Sequence, residues 1–184
     1  MEITNLKEIG HIKGLTEGHI LYFFENQDKY LSNIVDFVLS GLERNQYTII
    51  IENDRIAPLI QSRLKSLLDS DSLNKVKIVN NFDFYYAKGD FSSNSIFEFF
   101  PSLFEDGSSP GSVVRSWAHI EWRDENGVSR KLTQSESDAD SIVNKARLLS
   151  VCAYDSNRVS EELKMGLFGT HQLLLSDENN HQVN

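Results

Sequence analysis

Residues 24–29 read Phe24-Glu25-Asn26-Gln27-Asp28-Lys29 and lie between an apolar strand and an amphipathic helix, where a nucleotide-binding protein carries its phosphate cradle. A cradle needs glycines that let backbone N–H groups reach the anion, and a Lys followed by Ser or Thr. No glycine occurs between Gly18 and Gly41, and Glu25 and Asp28 put negative charge where phosphates would lie. P-loop ATP hydrolysis is therefore not expected. Asn26 or Asp28 is read instead as the cap of the following helix.

A second place for chemistry is the stretch 112–122, SVVRSWAHIEW. Strand alternation puts Val113, Arg115, Trp117, His119 and Glu121 on one face. A cation, an aromatic ring, an imidazole and an acid together suit a pocket for a polar-headed ligand. The other reading is a ribbon with one solvated face, a common arrangement in antiparallel sheets. Both stay open.

Histidines and the one cysteine come next. His19, His119 and His171 could between them bind zinc. However, no pair has the i,i+4 spacing of a helical site, and only His119-x-Glu121 places a further donor near one of them. No metal ligand set and no cofactor are expected. Cys152 sits among apolar neighbours in LLSVCAYD and is read as a small buried hydrophobe, because no neighbour in sequence would lower its pKa. There is no Gly-x-Ser-x-Gly elbow and no acid pair in a catalytic context, so the chain is not expected to be an enzyme.

Aromatic residues supply the remaining candidates. NFDFYY (81–86) follows a strand at the carboxyl edge, where open α/β sheets bind their ligands. Tyr22, Tyr85, Tyr86, Trp117 and Tyr154 could line an apolar pocket or form a protein-binding surface. With Glu25, Arg115, His119 and His171 they make up the candidate ligand-binding set. Trp122 and Arg123 are candidate interface anchors, since Trp and Arg are enriched at such positions.

The elements that must position these residues alternate along the chain. Strands are expected at 19–24, 47–52, 76–79, 112–122, 148–154 and 171–175, and helices at 28–43, 55–69, 95–105, 135–146 and 157–168. The run YTIIIE (47–52) suits a strand buried on both faces. Pro58 fits the first turn of its helix, and Pro101 should kink the helix around it. Asn126-Gly127 suggests a tight β-hairpin turn. The fold expected is α/β, a three-layer domain with a mainly parallel central sheet flanked by helices, plus a β-hairpin near 112–132.

The chain has 184 residues, 40% of them hydrophobic, enough for one domain with a full core. Its net charge of -9 and scattered bases disfavour direct nucleic-acid binding. A single cysteine allows no internal disulfide and fits a reducing, cytoplasmic compartment. No apolar run approaches the ~20 residues that span a bilayer, and the start, MEITNLKEIG, is not a signal peptide.

The order of GHILYFFEN, FYYAKGDFSSNSIFEFF, VVRSWAHIEW, LLSVCAYDSNRVS and GTH resembles the MEDS family, the sensory domain of methanogen and methylotroph DcmR-type regulators. The resemblance covers nearly all of 18–175. It implies a RecA/KaiC-like domain that has lost its phosphate loop and senses small molecules, often beside a DNA-binding or kinase module. No such module follows residue 175, so residues 1–175 are expected to form one sensory domain and 176–184 a polar disordered tail. The expected role is non-enzymatic signalling or transcriptional control, with a small molecule, a signalling protein or a second copy as partner. A residual nucleotide-binding protein or enzyme of RecA-like descent is the alternative.

Overall fold

The computed structural model describes residues 6–87 and 113–177. These build a seven-stranded sheet whose pairings are all parallel, in the order β1-β7-β2-β6-β5-β3-β4. In chain order the elements begin with β1 (Lys7–Ile9), β2 (Gly18–Phe24), α1 (Gln27–Leu42), β3 (Tyr47–Glu52) and α2 (Ala57–Leu67). Next come α3 (Ser70–Leu73), β4 (Val76–Asn80), α4 (Asn81–Tyr85) and β5 (Val114–His119). The series closes with α5 (Val128–Ala146), β6 (Leu149–Asp155), α6 (Glu161–Phe168) and β7 (Leu173–Leu175).

The three-layer α/β arrangement expected from the sequence is what the chain adopts. Alternation sends Ile20, Tyr22, Ile50, Trp117 and Val151 toward α1 and α2, and Leu21, Ile49, Ile51, Ala118 and Cys152 toward α5 and α6. Ile20, Ile49, Ile50 and Val151 are fully buried, each worth about 1.5–3 kcal/mol. Helix α1 starts where Asn26 accepts the Lys29 N–H at 3.0 Å, which settles its role as a cap. Gly41 on this helix is required by packing. A Cβ there would lie 3.0 Å from Cδ of Arg115, so the missing side chain makes room for the arginine beneath the helix.

Several local expectations are corrected. The hairpin near 112–132 does not form. β5 is a central strand, parallel to β3 and β6 and covered on both faces, which also removes the solvated-ribbon reading of Arg115, Trp117 and His119. The positive φ of Gly127, 67°, starts α5 ahead of the helix start expected at 135, so the Asn-Gly signal served a helix start and not a strand reversal. NFDFYY holds a short helix, α4, capped by Asn80. Helix 157–168 is split, with a 3-10 turn at Ser156–Arg158 and α6 capped afresh by Ser160. β1 escaped the hydropathy reading because only three residues pair at the sheet edge. The helix expected at 95–105 lies outside the described residues, as does the tail from 178 onward. Residues 176–177 are tied down: Ser176 N–H donates to the Ile9 carbonyl at 3.1 Å, and the Asp177 carboxylate receives the Tyr22 hydroxyl at 2.8 Å.

Candidate functional site

Parallel strands bring the ends of β3 and β5 together at the carboxyl edge, and a buried polar cluster forms there. Glu52, the last residue of β3, is wholly buried. Its Oε1 accepts from His119 Nδ1 at 2.6 Å and from the Asn53 N–H at 2.7 Å, and Oε2 accepts from the Tyr30 hydroxyl at 2.6 Å. Trp117 Nε1 donates to that hydroxyl at 3.1 Å. Burial, then the Glu52 charge, pushes the Tyr30 hydroxyl well above its ordinary pKa, so it remains a donor.

Glu121, just beyond β5, extends the cluster. Its Oε2 accepts from Asn53 Nδ2 at 2.9 Å and Asn81 Nδ2 at 2.8 Å, and Arg55 lies 3.5 Å from Oε1. Burial works to raise this carboxyl, but the charge of a protonated His119 ring, the two amides and Arg55 outweigh it and hold it below the usual range. Among the described residues, two buried atoms of this cluster have no hydrogen-bond partner, His119 Nε2 and Asn81 Oδ1. In the neutral ring the His119 Nδ1 proton goes to Glu52, which leaves Nε2 as an acceptor, 4.0 Å from Glu121 Oε1.

A second polar cluster lies on the opposite face of the sheet, toward its amino half. It joins His19 of β2, Cys152 of β6, Glu136 of α5 and His171 just before β7, all buried, with one potential ligand atom from each lying within 4.8 Å of the others. The two imidazoles stack with centroids 3.9 Å apart. His19 Nδ1 points to the Thr170 carbonyl at 3.0 Å and to Asp140 at 3.2 Å, and His171 Nδ1 points to the Leu167 carbonyl at 2.8 Å. Glu136 Oε1 accepts a short hydrogen bond from the Tyr154 hydroxyl.

The charges in this cluster are interdependent. Burial pushes the Glu136 carboxyl up, but His19, His171 and Tyr154 outweigh it and bring it down to about 2. Burial and the Glu136 charge push the Cys152 thiol up to about 12. Burial and His19 lower His171 to about 4, which keeps its ring neutral near pH 7. For His19, burial opposes a charge, but Cys152, Asp140 and Glu136 prevail and raise it. The resulting ground state is a His19–Glu136 ion pair beside a neutral thiol and a neutral imidazole.

The expected ligand-binding residues therefore scatter. His119 and Trp117 belong to the carboxyl-edge cluster, and His171 and Tyr154 to the other. Tyr22 is fully buried, bonded to Asp177 and Asn33. Glu25 is exposed and lines a cleft of ≈ 260 Å³ with Phe23, Asn26, Lys29 and Asp177. Tyr85 is core. Tyr86 is half-buried, and its hydroxyl accepts from the Arg123 N–H at 3.1 Å. Arg115 is buried under α1, held by Gln46, Ser40 and the Phe37 carbonyl, and burial lowers it to about 10. It lies at the start of β5, away from the carboxyl edge.

Of the two interface anchors, Trp122 is corrected: it is 3% exposed and belongs to the core. Arg123 is exposed, its guanidinium 4.6 Å from the Tyr86 ring centre. Cys152 is buried as expected, although its neighbours are ionisable and not only apolar. Glu52, Glu121, Asn53, Asn81, Glu136 and His19 were missed as site residues. Glu52 carried a signal as an acid closing an apolar strand. Glu136 carried one too, since it falls on the apolar face of α5 with Leu132 and Val143.

Comparison with protein families matches residues 18–172 with MEDS, the MEthanogen/methylotroph, DcmR Sensory domain. No curated protein matches the chain. Among solved structures it is similar to a RecA-like ATPase domain of a helicase, with a TM-score of 0.49 and 8% identity over 91% of this chain and 72% of that one. Among the described residues no helix is long and apolar enough to cross a membrane.

Proposed function

The chain belongs to the MEDS family of sensory domains, and on that premise we propose that it acts as a sensory and regulatory module with no reaction of its own. In this reading it takes up a small molecule at the carboxyl edge of the sheet and reports to a partner protein in the cytoplasm. The observation that carries the reading is the pair of buried, unpartnered acceptors, His119 Nε2 and Asn81 Oδ1, beside the Glu121 carboxylate. Buried polar atoms are costly to leave unsatisfied, so a ligand offering N–H or O–H donors gains what the apo site lacks. Phe24 and Tyr30, whose ring centres lie 5.0 and 5.8 Å from that of His119, supply an apolar flank. A small amine or alcohol fits this chemistry better than a phosphate.

Two features support the absence of nucleotide chemistry. Asn26 is engaged in capping α1, and Glu25 and Asp28 present charge that repels phosphate. The Glu52 carboxylate, which could otherwise serve as a general base, already accepts three hydrogen bonds. The test is a calorimetric and thermal-shift screen of small amines and alcohols alongside Mg-ATP. A hit that weakens at least ~10-fold in folded His119→Ala and Asn81→Ala, the loss of about one net hydrogen bond, is the expected result. Saturable Mg-ATP binding that is lost on mutating residues 24–29 would overturn the reading.

A further inference from the structure

The cluster at the amino half of the sheet stands apart from the proposed ligand site and is organised differently. We propose that His19, Glu136, Cys152 and His171 form a closed four-ligand site for a divalent transition metal of the zinc class.

The donor spacing supports this. A tetrahedral zinc ion holds N and O donors at about 2.0–2.2 Å and sulfur at about 2.3 Å, which places neighbouring donors roughly 3.3–3.6 Å apart. His19 Nε2 lies 3.3 Å from Cys152 Sγ and 3.4 Å from Glu136 Oε2. Cys152 Sγ lies 3.3 Å from Glu136 Oε2, and His171 Nε2 lies 3.7 Å from that same oxygen.

Orientation supports it as well. Each imidazole gives its Nδ1 proton to a backbone carbonyl, Thr170 for His19 and Leu167 for His171. That is the outer-shell arrangement which presents Nε2 as the metal-binding atom. Tyr154 occupies Glu136 Oε1 and leaves Oε2 turned toward the cluster. The independent observation is His171 Nε2. It belongs to a side chain with no solvent exposure, aims at the other three donors and has no hydrogen-bond partner among the described residues. Nothing in the apo hydrogen bonding accounts for that lone pair.

Charge also balances. A thiolate, a carboxylate and two neutral imidazoles cancel a 2+ ion, so the filled site buries no net charge. Binding releases the Cys152 thiol proton and the proton on His19 Nε2 to solvent. The mixture of sulfur, nitrogen and one carboxylate oxygen favours zinc-like ions over magnesium or calcium, which want oxygen alone. Four protein donors in a fully buried setting leave no open position, the mark of a structural or sensing site and not a catalytic one. The ion would tie α5 to β2, β6 and the connection into β7.

The test uses the full chain, reduced and stripped with a chelator, titrated with Co(II) and then Zn(II). The expected result is one equivalent of Co(II) with a thiolate-to-cobalt charge-transfer band, displaced by zinc. Zinc should also raise the melting temperature. X-ray absorption at the zinc edge should show one sulfur among three lighter N/O neighbours. Cys152→Ala should abolish the charge-transfer band, and both it and His171→Gln should weaken zinc binding by at least ~100-fold, the upper end of what losing an outer-shell partner costs. A folded wild-type protein with no charge-transfer band, or a zinc shell without sulfur, overturns the proposal. So does unchanged zinc affinity in both folded variants. If the variants do not fold, the absorption spectrum of the wild-type protein still decides.

Discussion

The two faces of the sheet carry polar clusters that bury similar residue types and leave different atoms over. At the carboxyl edge, Glu52 is saturated by a tyrosine, a histidine and a backbone N–H, and what remains are two acceptors beside Glu121. At the amino half, backbone carbonyls take the outward nitrogens of both histidines, and what remains are Nε2 lone pairs facing a thiol and a carboxylate. Histidine and glutamate occur in both. What the second histidine nitrogen meets decides whether a cluster is suited to hydrogen-bond donors or to a metal ion.

The largest expected effect separates the clusters by stability. In chelator-treated protein, Glu136→Ala leaves His19 charged and buried with only part-exposed Asp140 to answer it, and urea unfolding should show a loss of about 3–5 kcal/mol. A loss below about 1 kcal/mol would mean that His19 and Glu136 do not form a charged pair.

At the carboxyl edge a smaller effect is expected. Tyr30→Phe removes one of three donors to Glu52 and strips Trp117 Nε1 of its acceptor, at a cost of about 1–3 kcal/mol. If the amino-half variant costs less than this one, the comparison above is reversed.

The smallest effect is a slope. Glu121 is held below its ordinary value of 4.5, so it stabilises the fold above that pH, and this contribution fades as pH falls through its lowered folded pKa. Glu121→Gln should therefore flatten the acid limb of a stability-against-pH curve below about pH 4.5, by at most about 1.4 kcal/mol per pH unit. An unaltered acid limb would show that Asn53, Asn81, Arg55 and His119 do not favour the charged carboxylate.

Much of this was written locally in the chain. YTIIIE and LLSVCAY announce strands buried on both faces, because continuous apolar runs leave neither side for water. Asn26 announces a cap because its short side chain reaches the N–H three residues on. The missing glycines of 24–29 rule out a phosphate cradle by backbone sterics alone. The face shared by Arg115, Trp117 and His119 follows from the strand period, although not what would cover it.

Other features needed the assembled sheet. Asn126-Gly127 offers a positive φ to a hairpin or a helix start equally well, and only the central, parallel placement of β5 chose the helix. Trp122 has the composition of an interface anchor, yet Arg158 lies over its ring and the core beneath α5 and α6 encloses it. The four donors His19, Glu136, Cys152 and His171 come from β2, α5, β6 and the start of β7, so no interval along the chain encodes their meeting. Parallel register sets Leu21 beside Cys152 and His19 beside Ser150, and α5 then lays Glu136 across them. Periodicity can tell which face a residue takes, because that depends on its own backbone. Which residues from other elements share that face depends on strand order, and that was decided only when the whole sheet closed.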